Sequence, residues 1–492
     1  MSTPAFEAEA DWNRLYIDGD WRPATSEATI PVENPATRET FAEVPAGTTA
    51  DVDAAYEAAA AAQPDWASLP RDERDEYVAD MRAAIKDRFG ELVELLGREG
   101  GSTGDKAAGE VGIALADYAL ALDLEPPEVE TTESAFVDAK QNHVVHEPVG
   151  VVGIISPWNY PFHLSTRALA PALALGNTVV LKPATDTPIT GGLLLARIAD
   201  EVGLPDGVVN VVTGRGSDIG DRMAGHPIPR VISFTGSTDV GKRVASQAGQ
   251  SVALPALELG GNAPFVVTAD ADVHDAAAAG AYGSFYHQGQ VCISANRHLV
   301  HEDVYDEYVD RLVDHAESLT IGDPLDEDVD FGPVVNESQR DDLLEFIEQT
   351  VAEGATLETG GEAEDLFVEP TVLSDATNEM AAACNEHFGP IAPIVCVADD
   401  EEAIELANDT EYGLSAAVFA GDVEHGRELA ARIDAGMVHV NDHPIQEEPW
   451  TPFGGMKESG VGRYHGKWIR DELLEPKWIS TQHEPREYDF LQ

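Results

Sequence analysis

From residue 150 onward, short runs of β-branched residues alternate with longer segments of helical hydrophobic period. Between residues 150 and 258 the runs predict strands at 151–155, 178–181, 208–212, 231–234 and 252–257, with helices at 165–174, 190–201 and 239–248. Such alternation is typical of βαβ units, in which parallel strands are buried on both faces. The pattern therefore predicts an α/β fold built on a parallel sheet.

A second α/β series follows the first. It comprises a strand at 264–267, a helix at 273–285, a segment at 304–318, a helix at 341–353 and late strands at 414–419 and 437–441. A chain of 492 residues is too long for one ordinary core. We therefore expect two α/β domains with parallel sheets, one from each series.

The residues before the first series carry other patterns. A strand is predicted at 15–17, an Ala-rich helix begins near Asp51, and one continuous helix is predicted from about Arg71 to Gly97. From Val129 to His146 the residues alternate loosely and lack helical period. This last segment predicts extended strands, which form either an arm or a plain surface hairpin.

The charge of the chain limits its partners. It carries 90 acidic and 30 basic residues, a formal net charge of −60, while 43% of its residues are hydrophobic. Nucleic acids and anionic lipids bind mainly through Lys and Arg, so we expect neither as a partner. We hypothesise a high-salt environment, because at about 1 M salt the Debye length falls to about 3 Å and repulsion among carboxylates is screened. An ordinary acidic protein is the alternative.

Location follows from segments that the sequence lacks. The first ten residues show no basic or apolar signal segment, and no apolar run approaches membrane-spanning length. We therefore expect a soluble, cytoplasmic protein, in agreement with its three cysteines.

One cysteine has the surroundings of a nucleophile. Cys292 lies in the run FYHQGQVCIS at 285–294, among small and polar residues and after an apolar helical stretch. Three cysteines supply neither a disulfide framework nor a CxxC metal site, so we expect no bound metal. The alternative is a small buried hydrophobic residue.

Candidate binding groups follow predicted strands, where α/β sheets bind ligands. In FTGSTDVG at 234–241, Gly236, Ser237 and Gly241 surround a helix start whose N–H groups can face a phosphate. The spacing GxxxxG differs from GxGxxG, and a tight turn without ligand is the alternative. Lys182 ends another strand and is either a ligand-binding or a solvated lysine.

Two further residues suit acid–base and oxyanion chemistry. Glu258 ends an apolar strand beside two glycines, where burial should raise its pKa and make it a general base. Asn159 lies between two prolines in the loop PWNYP, and its amide can donate to an oxyanion. An ordinary strand-end carboxylate and a structural turn are the alternatives.

Together these motifs resemble the aldehyde dehydrogenase superfamily along essentially the whole chain. In the family's order they are PWNYP at 157–161, KPA at 182–184, FTGST at 234–238, LELGGNAP at 257–264, GQVC at 289–292, EHFGP at 386–390 and PFGGMKESGVGR at 452–463. The resemblance implies a Rossmann-like cofactor-binding domain, a catalytic domain and an oligomerisation arm in a homodimer or homotetramer. The respective residues are 1–124 with 149–259, 260–465, and 125–148 with 466–492.

The resemblance also implies a mechanism. The Cys292 thiolate attacks the aldehyde carbonyl, while the Asn159 amide and the Cys292 backbone N–H stabilise the oxyanion. Hydride transfer to NAD or NADP leaves a thioester, which water activated by Glu258 hydrolyses to a carboxylate. Glu258 argues against an acylating, coenzyme A-dependent enzyme. The presence of all three residues together with Lys182 argues against a non-catalytic binding protein on the same fold.

The same resemblance implies the cofactor contacts, with Glu386 at the nicotinamide-side ribose and Phe388 near the ring. The expected cofactor residues are Ile155, Ser156, Trp158, Lys182, Thr185, Gly236, Ser237, Val240, Gly241, Leu259, Glu386 and Phe388. Thr185 departs from the family, because NAD-preferring members commonly carry a glutamate there that would repel a 2′-phosphate. We therefore predict that NADP is accepted alongside NAD, although Asp186 can restore some discrimination.

For the substrate, the stretches at 182–188, 287–297 and 441–463 look most like members that oxidise aromatic aldehydes such as benzaldehyde and vanillin. Trp450, Phe162, Phe285 and Tyr286 are expected to line an apolar funnel or to be core aromatics. Arg167 alone keeps succinic semialdehyde as an alternative, and another aliphatic aldehyde is a further alternative. Cys384 and Cys396 are expected to be packing residues.

Overall fold

The computed structural model describes residues 12–326 and 328–488. The first ten residues, from which we expect no signal segment, lie outside that part. The N-terminal elements are β1 (Leu15–Ile17), β2 (Asp20–Arg22), β3 (Thr29–Glu33), β4 (Thr40–Pro45), α1 (Thr49–Ser68), α2 (Arg71–Asp87), α3 (Phe89–Gly100) and α4 (Gly104–Asp123). Two extended strands follow, β5 (Glu130–Glu133) and β6 (Lys140–Pro148).

The first α/β series forms as predicted. Its elements are β7 (Val151–Ile155), α5 (Pro161–Ala174), β8 (Thr178–Lys182), α6 (Leu194–Glu201), β9 (Val209–Val211), α7 (Asp221–Gly225), β10 (Val231–Thr235), α8 (Thr238–Gln250) and β11 (Leu254–Glu258). Most strands carry Val, Ile or Leu at buried positions on both faces, as a covered parallel sheet requires.

The second series is longer than the periodicity predicted. Its elements are β12 (Ala263–Val267), α9 (Val273–Phe285), β13 (Ala295–His301), α10 (Tyr305–Ser318), α11 (Glu337–Glu353), β14 (Thr356–Thr359), β15 (Ala363–Glu364), β16 (Phe367–Val368), β17 (Thr371–Ala376), α12 (Ala381–Cys384), β18 (Ile391–Val397), α13 (Asp400–Asn408), β19 (Ser415–Phe419), α14 (Val423–Ala430) and β20 (Met437–Val440). The chain closes with β21 (Gly460–Val461), α15 (Ile469–Leu473) and β22 (Leu474–Gln482).

The first sheet has the strand order β2-β1-β9-β8-β7-β10-β11-β21. Its five central strands, β9 to β11 in that order, are parallel, and β7 lies in the middle. From β7 the chain builds β8 and β9 on one side and then returns to build β10 and β11 on the other. A crevice therefore opens between the carboxyl ends of β7 and β10, where doubly wound sheets bind ligands.

The second sheet has the order β14-β17-β18-β13-β12-β19-β20, and only β14 runs antiparallel to its neighbour. The predicted α/β class with two parallel sheets is thus confirmed. The segment from 129 to 146 joins the end of the chain in a separate antiparallel sheet, β22-β6-β5. The short strand β21 pairs with β11, so residues 460–461 extend the first sheet.

The single helix predicted from Arg71 to Gly97 is wrong. The structure has two helices, α2 and α3, which meet at Arg88, whose φ of −109° and ψ of 17° are not helical. The Arg88 side chain is buried and forms an ion pair with Glu201. The hydrophobic period continues through the break, so the sequence pattern did not reveal it. Within the described residues no helix is long and apolar enough to cross a bilayer.

Candidate active site

A cleft of about 800 Å³ occupies the crevice at the carboxyl ends of β7 and β10. Ten of the twelve predicted cofactor residues line it: Ile155, Trp158, Lys182, Thr185, Gly236, Ser237, Val240, Leu259, Glu386 and Phe388. The other two, Ser156 and Gly241, do not line the cleft but contact residues that do. The Ser156 N–H donates to the Lys182 carbonyl oxygen at 3.1 Å, and a Cβ at Gly241 would meet the Leu259 side chain.

One wall of this cleft offers hydrogen-bond donors to an anion. Gly236 and Ser237 bring the N-terminus of α8 to the cleft, and the first N–H groups of a helix have no partner within the helix. Lys182 lies nearby with 4% of its surface exposed. Burial lowers its pKa to about 8, while Asp186 opposes that shift.

Two glycines, Gly260 and Gly261, bring the backbone close to Glu386, which also lines the cleft. The Gly261 N–H donates to Glu386 Oε1 at 2.9 Å, and a Cβ at Gly260 would lie 2.3 Å from Glu386 Oε2. Burial raises the pKa of Glu386 to about 7. Beside it the rings of Trp158 and Phe388 meet edge to face, 5.3 Å apart. A cleft of this volume, lined by anion donors, a carboxylate and aromatic rings, fits a dinucleotide such as NAD(P).

A second pocket, of about 170 Å³, adjoins the cleft, and the two share Asn159, Leu164, Thr235 and Cys292. Glu258 also lines the smaller pocket. The structure thus brings the three predicted catalytic residues together at one place, although they are far apart in the sequence. Cys292 lies where a substrate pocket would meet a cofactor cleft.

A tight turn positions Cys292. His287 and Gln288 have φ values of 52° and 56°, in the left-handed region that non-glycine residues seldom adopt, and Gly289 follows with a φ of 66°. Gly261 permits close approach, since a Cβ there would lie 2.1 Å from the Cys292 carbonyl oxygen. Burial raises the pKa of the Cys292 thiol, so a base must remove its proton before it can attack.

Three hydrogen bonds fix Asn159. Its Nδ2 donates to the Gln290 carbonyl oxygen at 2.9 Å, which ties the amide to the segment that carries the thiol. The backbone carbonyl oxygen of Asn159 accepts from Lys106 Nζ at 2.6 Å and lies 3.0 Å from His287 Nε2. Since that oxygen can only accept, His287 carries its proton on Nε2.

Lys106 was not predicted from the sequence. It lies on α4 and pairs with Glu110 at 2.6 Å, and both side chains are fully buried. Glu110 Oε1 in turn accepts from the backbone N–H groups of Phe162 and His163, at 2.9 and 3.2 Å, in the first turn of α5. The pair therefore holds both the loop of Asn159 and the helix that follows it.

Glu258 is 2% exposed, and neither carboxyl oxygen has a hydrogen-bond partner among the described residues. Burial raises its pKa to about 8, while Arg167 and Arg463 lower it. The predicted desolvation is confirmed. A carboxyl group with free oxygens beside a pocket can accept a proton from water.

Five buried charged or titratable residues form one cluster at the smaller pocket: Asp117, His163, Arg167, Glu447 and His465, here called the ionic cluster. His163, Arg167 and Glu447 line the pocket. Only Arg167 was named from the sequence, as the residue that kept a semialdehyde as an alternative substrate. The five residues come from α4, α5 and the segment after β20, so only tertiary structure joins them.

Comparison with known proteins agrees with this geometry. The Aldehyde dehydrogenase family matches residues 21–479. A vanillin dehydrogenase of Corynebacterium glutamicum is 44% identical over 96% of this chain and 99% of its own length. A benzaldehyde dehydrogenase of Bacillus subtilis is 41% identical over 97% of this chain and 99% of its own.

This chain belongs to the aldehyde dehydrogenase family. It is accordingly an NAD(P)-dependent oxidoreductase that acts on aldehydes. Among solved structures, a betaine aldehyde dehydrogenase of Staphylococcus aureus in complex with NAD+ superimposes with a TM-score of 0.95 and 32% identity, covering 99% of this chain and 98% of that one. A lactaldehyde dehydrogenase of Escherichia coli gives 0.93 and 33%, over 96% and 99%.

Of the two alternatives for the four expected aromatic residues of this dehydrogenase, a core position holds for two of them and a pocket position for one. Phe162 and Phe285 are buried in the core, and Trp450 is 52% exposed. Only Tyr286 of the four expected residues lines the smaller pocket. The other aromatic residues that line it are Tyr160, Tyr282 and Phe453. Tyr282 and Tyr286 lie four residues apart, so a helical projection of this segment would have placed them together.

The packing role expected for the two remaining cysteines of the dehydrogenase is also wrong. Cys384 and Cys396 are both exposed. Cys396 lies on β18 in a strand whose other residues are buried, so hydrophobic context alone was misleading.

Proposed function

We propose that this aldehyde dehydrogenase oxidises aromatic aldehydes to carboxylates through covalent catalysis by Cys292. One observation carries the proposal: Cys292, Asn159 and Glu258 share a pocket that opens into a cleft suited to a dinucleotide. The names of the vanillin and benzaldehyde dehydrogenases, at 44% and 41% identity, support the aromatic class.

In the proposed mechanism the Cys292 sulfur, once deprotonated, attacks the carbonyl carbon. The second N–H of the Asn159 amide and the backbone N–H of Cys292 donate to the oxyanion, and preorganised donors of this kind are worth about 10²–10³ in kcat. A bound NAD(P) supplies the nicotinamide that accepts the hydride. Glu258 then takes a proton from water, which attacks the thioester and frees the thiol.

The walls of the smaller pocket support a ring as substrate. Tyr282 and Tyr286 stack with their centroids 4.8 Å apart, and Tyr160 and Phe453 line the same pocket. Aromatic side chains of this kind contact a flat ring over a large area. Arg167, the residue that kept succinic semialdehyde as an alternative, is paired with Glu447 at 3.6 Å. We therefore favour the aromatic aldehyde over a semialdehyde with a terminal carboxylate.

We propose that NADP is accepted alongside NAD. Thr185 lines the cleft and carries no charge to repel a 2′-phosphate, while Lys182 lies in the same wall. Asp186 lines it too, and Asn336 Nδ2 donates to Asp186 Oδ1 at 3.1 Å, which occupies one of its oxygens. These contacts support the use of both NAD and NADP. The alternative is an enzyme that prefers NAD.

We further propose a halophilic, cytoplasmic enzyme with an acidic surface that works as a homodimer or homotetramer. With a net charge of −60, most carboxylates lack a basic side chain with which to pair, so screening by salt would stabilise the fold. The arm sheet leaves Trp478 68% exposed and Ile479 45% exposed in one chain, which supports a contact with another copy.

The experiment is an aldehyde panel assayed with NAD and with NADP in molar salt, beside the variants Cys292→Ala and Glu258→Gln. We expect NAD(P)H formation with benzaldehyde or vanillin, none with Cys292→Ala, and a single-turnover burst with Glu258→Gln. The burst should leave an acyl group on Cys292, detectable by mass spectrometry. Turnover by Cys292→Ala would contradict covalent catalysis, and a preference for aliphatic aldehydes would contradict the substrate class.

A further inference from the structure

The ionic cluster connects Arg167 to two carboxylates and two imidazoles beside the substrate pocket. Glu447 Oε1 lies 3.0 Å from His163 Nε2, 3.3 Å from His465 Nε2 and 3.6 Å from Arg167 Nη1. Asp117 Oδ2 lies 2.9 Å from His163 Nδ1. Glu447 is thus the member that the two imidazoles and the guanidinium share.

Opposite charges face each other in the cluster. Burial alone would lower the pKa of His163, but Glu447 and Asp117 raise it to about 10, so His163 is a cation at neutral pH. Its charge and that of Arg167 face the two carboxylates. Burial would raise the pKa of Glu447 as well, but His163, His465 and Arg167 hold it well below its usual range, so Glu447 is an anion.

The Arg167 guanidinium is held in place from two sides. It stacks on the rings of Phe453 and Tyr464, at 4.7 and 4.5 Å from their centroids, and its Nη2 donates to Thr235 Oγ1 at 3.3 Å. Its side chain is 1% exposed. A guanidinium so fixed cannot swing away from Glu447 to meet another anion without losing both stacking contacts.

Glu447 is the member of the cluster most open to the pocket. Its side chain is 14% exposed, whereas the side chains of Asp117, His163, Arg167 and His465 are 1–2% exposed. His163 and Arg167 line the pocket as well, but the carboxylate of Glu447 presents more surface than either cation.

We propose that Glu447 is a specificity-determining residue: it neutralises Arg167 and so excludes aldehydes that carry a carboxylate, in favour of neutral aromatic aldehydes. The proposal rests on the aromatic aldehyde oxidation proposed above and names the charge of its substrate. A substrate carboxylate in this buried pocket would lie near Glu447, and such like-charge contacts are strongly unfavourable. The basic side chains among the described lining residues, His163 and Arg167, already face Glu447. A neutral ring escapes this repulsion.

The test compares 4-formylbenzamide with 4-formylbenzoate, which have nearly the same shape and differ in charge. In about 1 M salt, where long-range repulsion from the acidic surface is screened, we expect the enzyme to oxidise the amide at least about 100-fold more efficiently in kcat/KM. In Glu447→Gln the ratio of kcat/KM for the amide to kcat/KM for the benzoate should fall at least about tenfold, because Arg167 loses the carboxylate that neutralises it.

Glu448→Gln is the matched control, since it removes the same formal charge from the exposed neighbouring position. It should leave the ratio unchanged. Equal efficiency on the two probes with the unmodified enzyme would overturn the proposal, as would exclusion of both probes while benzaldehyde is oxidised, because size would then decide. Both outcomes are measured on the unmodified enzyme, so they do not depend on whether a variant folds. Failure to oxidise benzaldehyde would instead count against the proposed function.

Discussion

The ammonium of Lys106 donates to the backbone carbonyl oxygen of Asn159 at 2.6 Å, across 53 residues of sequence. The contact lies in the fully buried pair of Lys106 with Glu110, which also binds the first turn of α5. A lysine that contacts neither substrate nor cofactor cleft thereby sets the position of the amide expected to bind the oxyanion.

Removal of this lysine should harm both stability and turnover. Lys106→Met leaves the buried carboxylate of Glu110 without its cation, although the two α5 N–H groups still donate to it. This loss should lower the free energy of unfolding by about 3–5 kcal/mol. A shift of the Asn159 loop by a fraction of an ångström should lower kcat about tenfold or more with little change in KM. Denaturant unfolding and steady-state kinetics measure the two effects.

The double variant Lys106→Met/Glu110→Gln separates them. A neutral amide keeps an oxygen for the α5 N–H groups, so most of the stability should return while the loss in kcat remains. Recovery of kcat together with stability would show that Lys106 acts only on folding.

The pH dependence of thioester hydrolysis should follow Glu258, whose pKa is raised to about 8 by burial and held down by Arg167 and Arg463. The base works only when ionised, so the hydrolysis rate should rise with pH through about 8. Arg167→Met should move this rise in the hydrolysis rate to higher pH, because a nearby cation that favours the ionised Glu258 carboxylate is lost. Arg167→Lys keeps the charge and should shift it less. Decay of the acyl-enzyme after a single turnover measures the hydrolysis rate. If its rise with pH stays at the same pH in Arg167→Met, the electrostatic coupling between Arg167 and Glu258 is excluded.

Cofactor choice should respond to position 185. Thr185→Glu places a carboxylate in the cleft wall beside Lys182, so kcat/KM with NADP should fall at least about tenfold relative to that with NAD. Thr185→Ser, which stays neutral, serves as the control. A strong NAD preference in the unmodified enzyme would already refute dual acceptance.

Thermal stability should depend steeply on salt. Self-repulsion at a net charge of −60 is screened as the Debye length falls from about 10 Å at about 0.1 M to about 3 Å at about 1 M. The Tm should therefore rise by about 10 °C or more over this range of KCl. Sucrose at matched osmolality is the control for stabilisation by a solute that is merely excluded from the protein surface. A Tm that does not change with KCl, together with full activity in dilute salt, would identify an ordinary acidic protein.

Assembly should depend on the arm. Trp478→Glu puts a charge on an exposed apolar position of β22, so the homo-oligomer should dissociate to a smaller species, measured by light scattering. Thr481→Glu, near the end of the same strand, is the control and should dissociate less. A single-chain mass for the unmodified protein would contradict the proposed assembly.

Local pattern was enough for much of the fold. The β-branched runs predicted β7 and β10, and α9 was predicted with its observed bounds, because burial on both strand faces or on one helical face leaves a period in the sequence. The break at Arg88 was missed, since an ion pair with Glu201 is invisible to periodicity. The motifs around Cys292, Asn159 and Glu258 likewise identified the residues that the structure brings to one pocket.

By itself, then, the sequence determined the alternation of strands and helices that marks the α/β class, the extreme charge and the motifs. All of these except the total charge depend on residues close together in the chain. Tertiary structure alone decided that Lys106 reaches Asn159, that Glu447 meets His163 across 284 residues, and that Tyr286 rather than Phe285 lines the pocket. Such contacts depend on how whole layers pack and on which side of a buried element faces the cavity. Hydrophobicity records that a residue is buried but not which partner it is buried against.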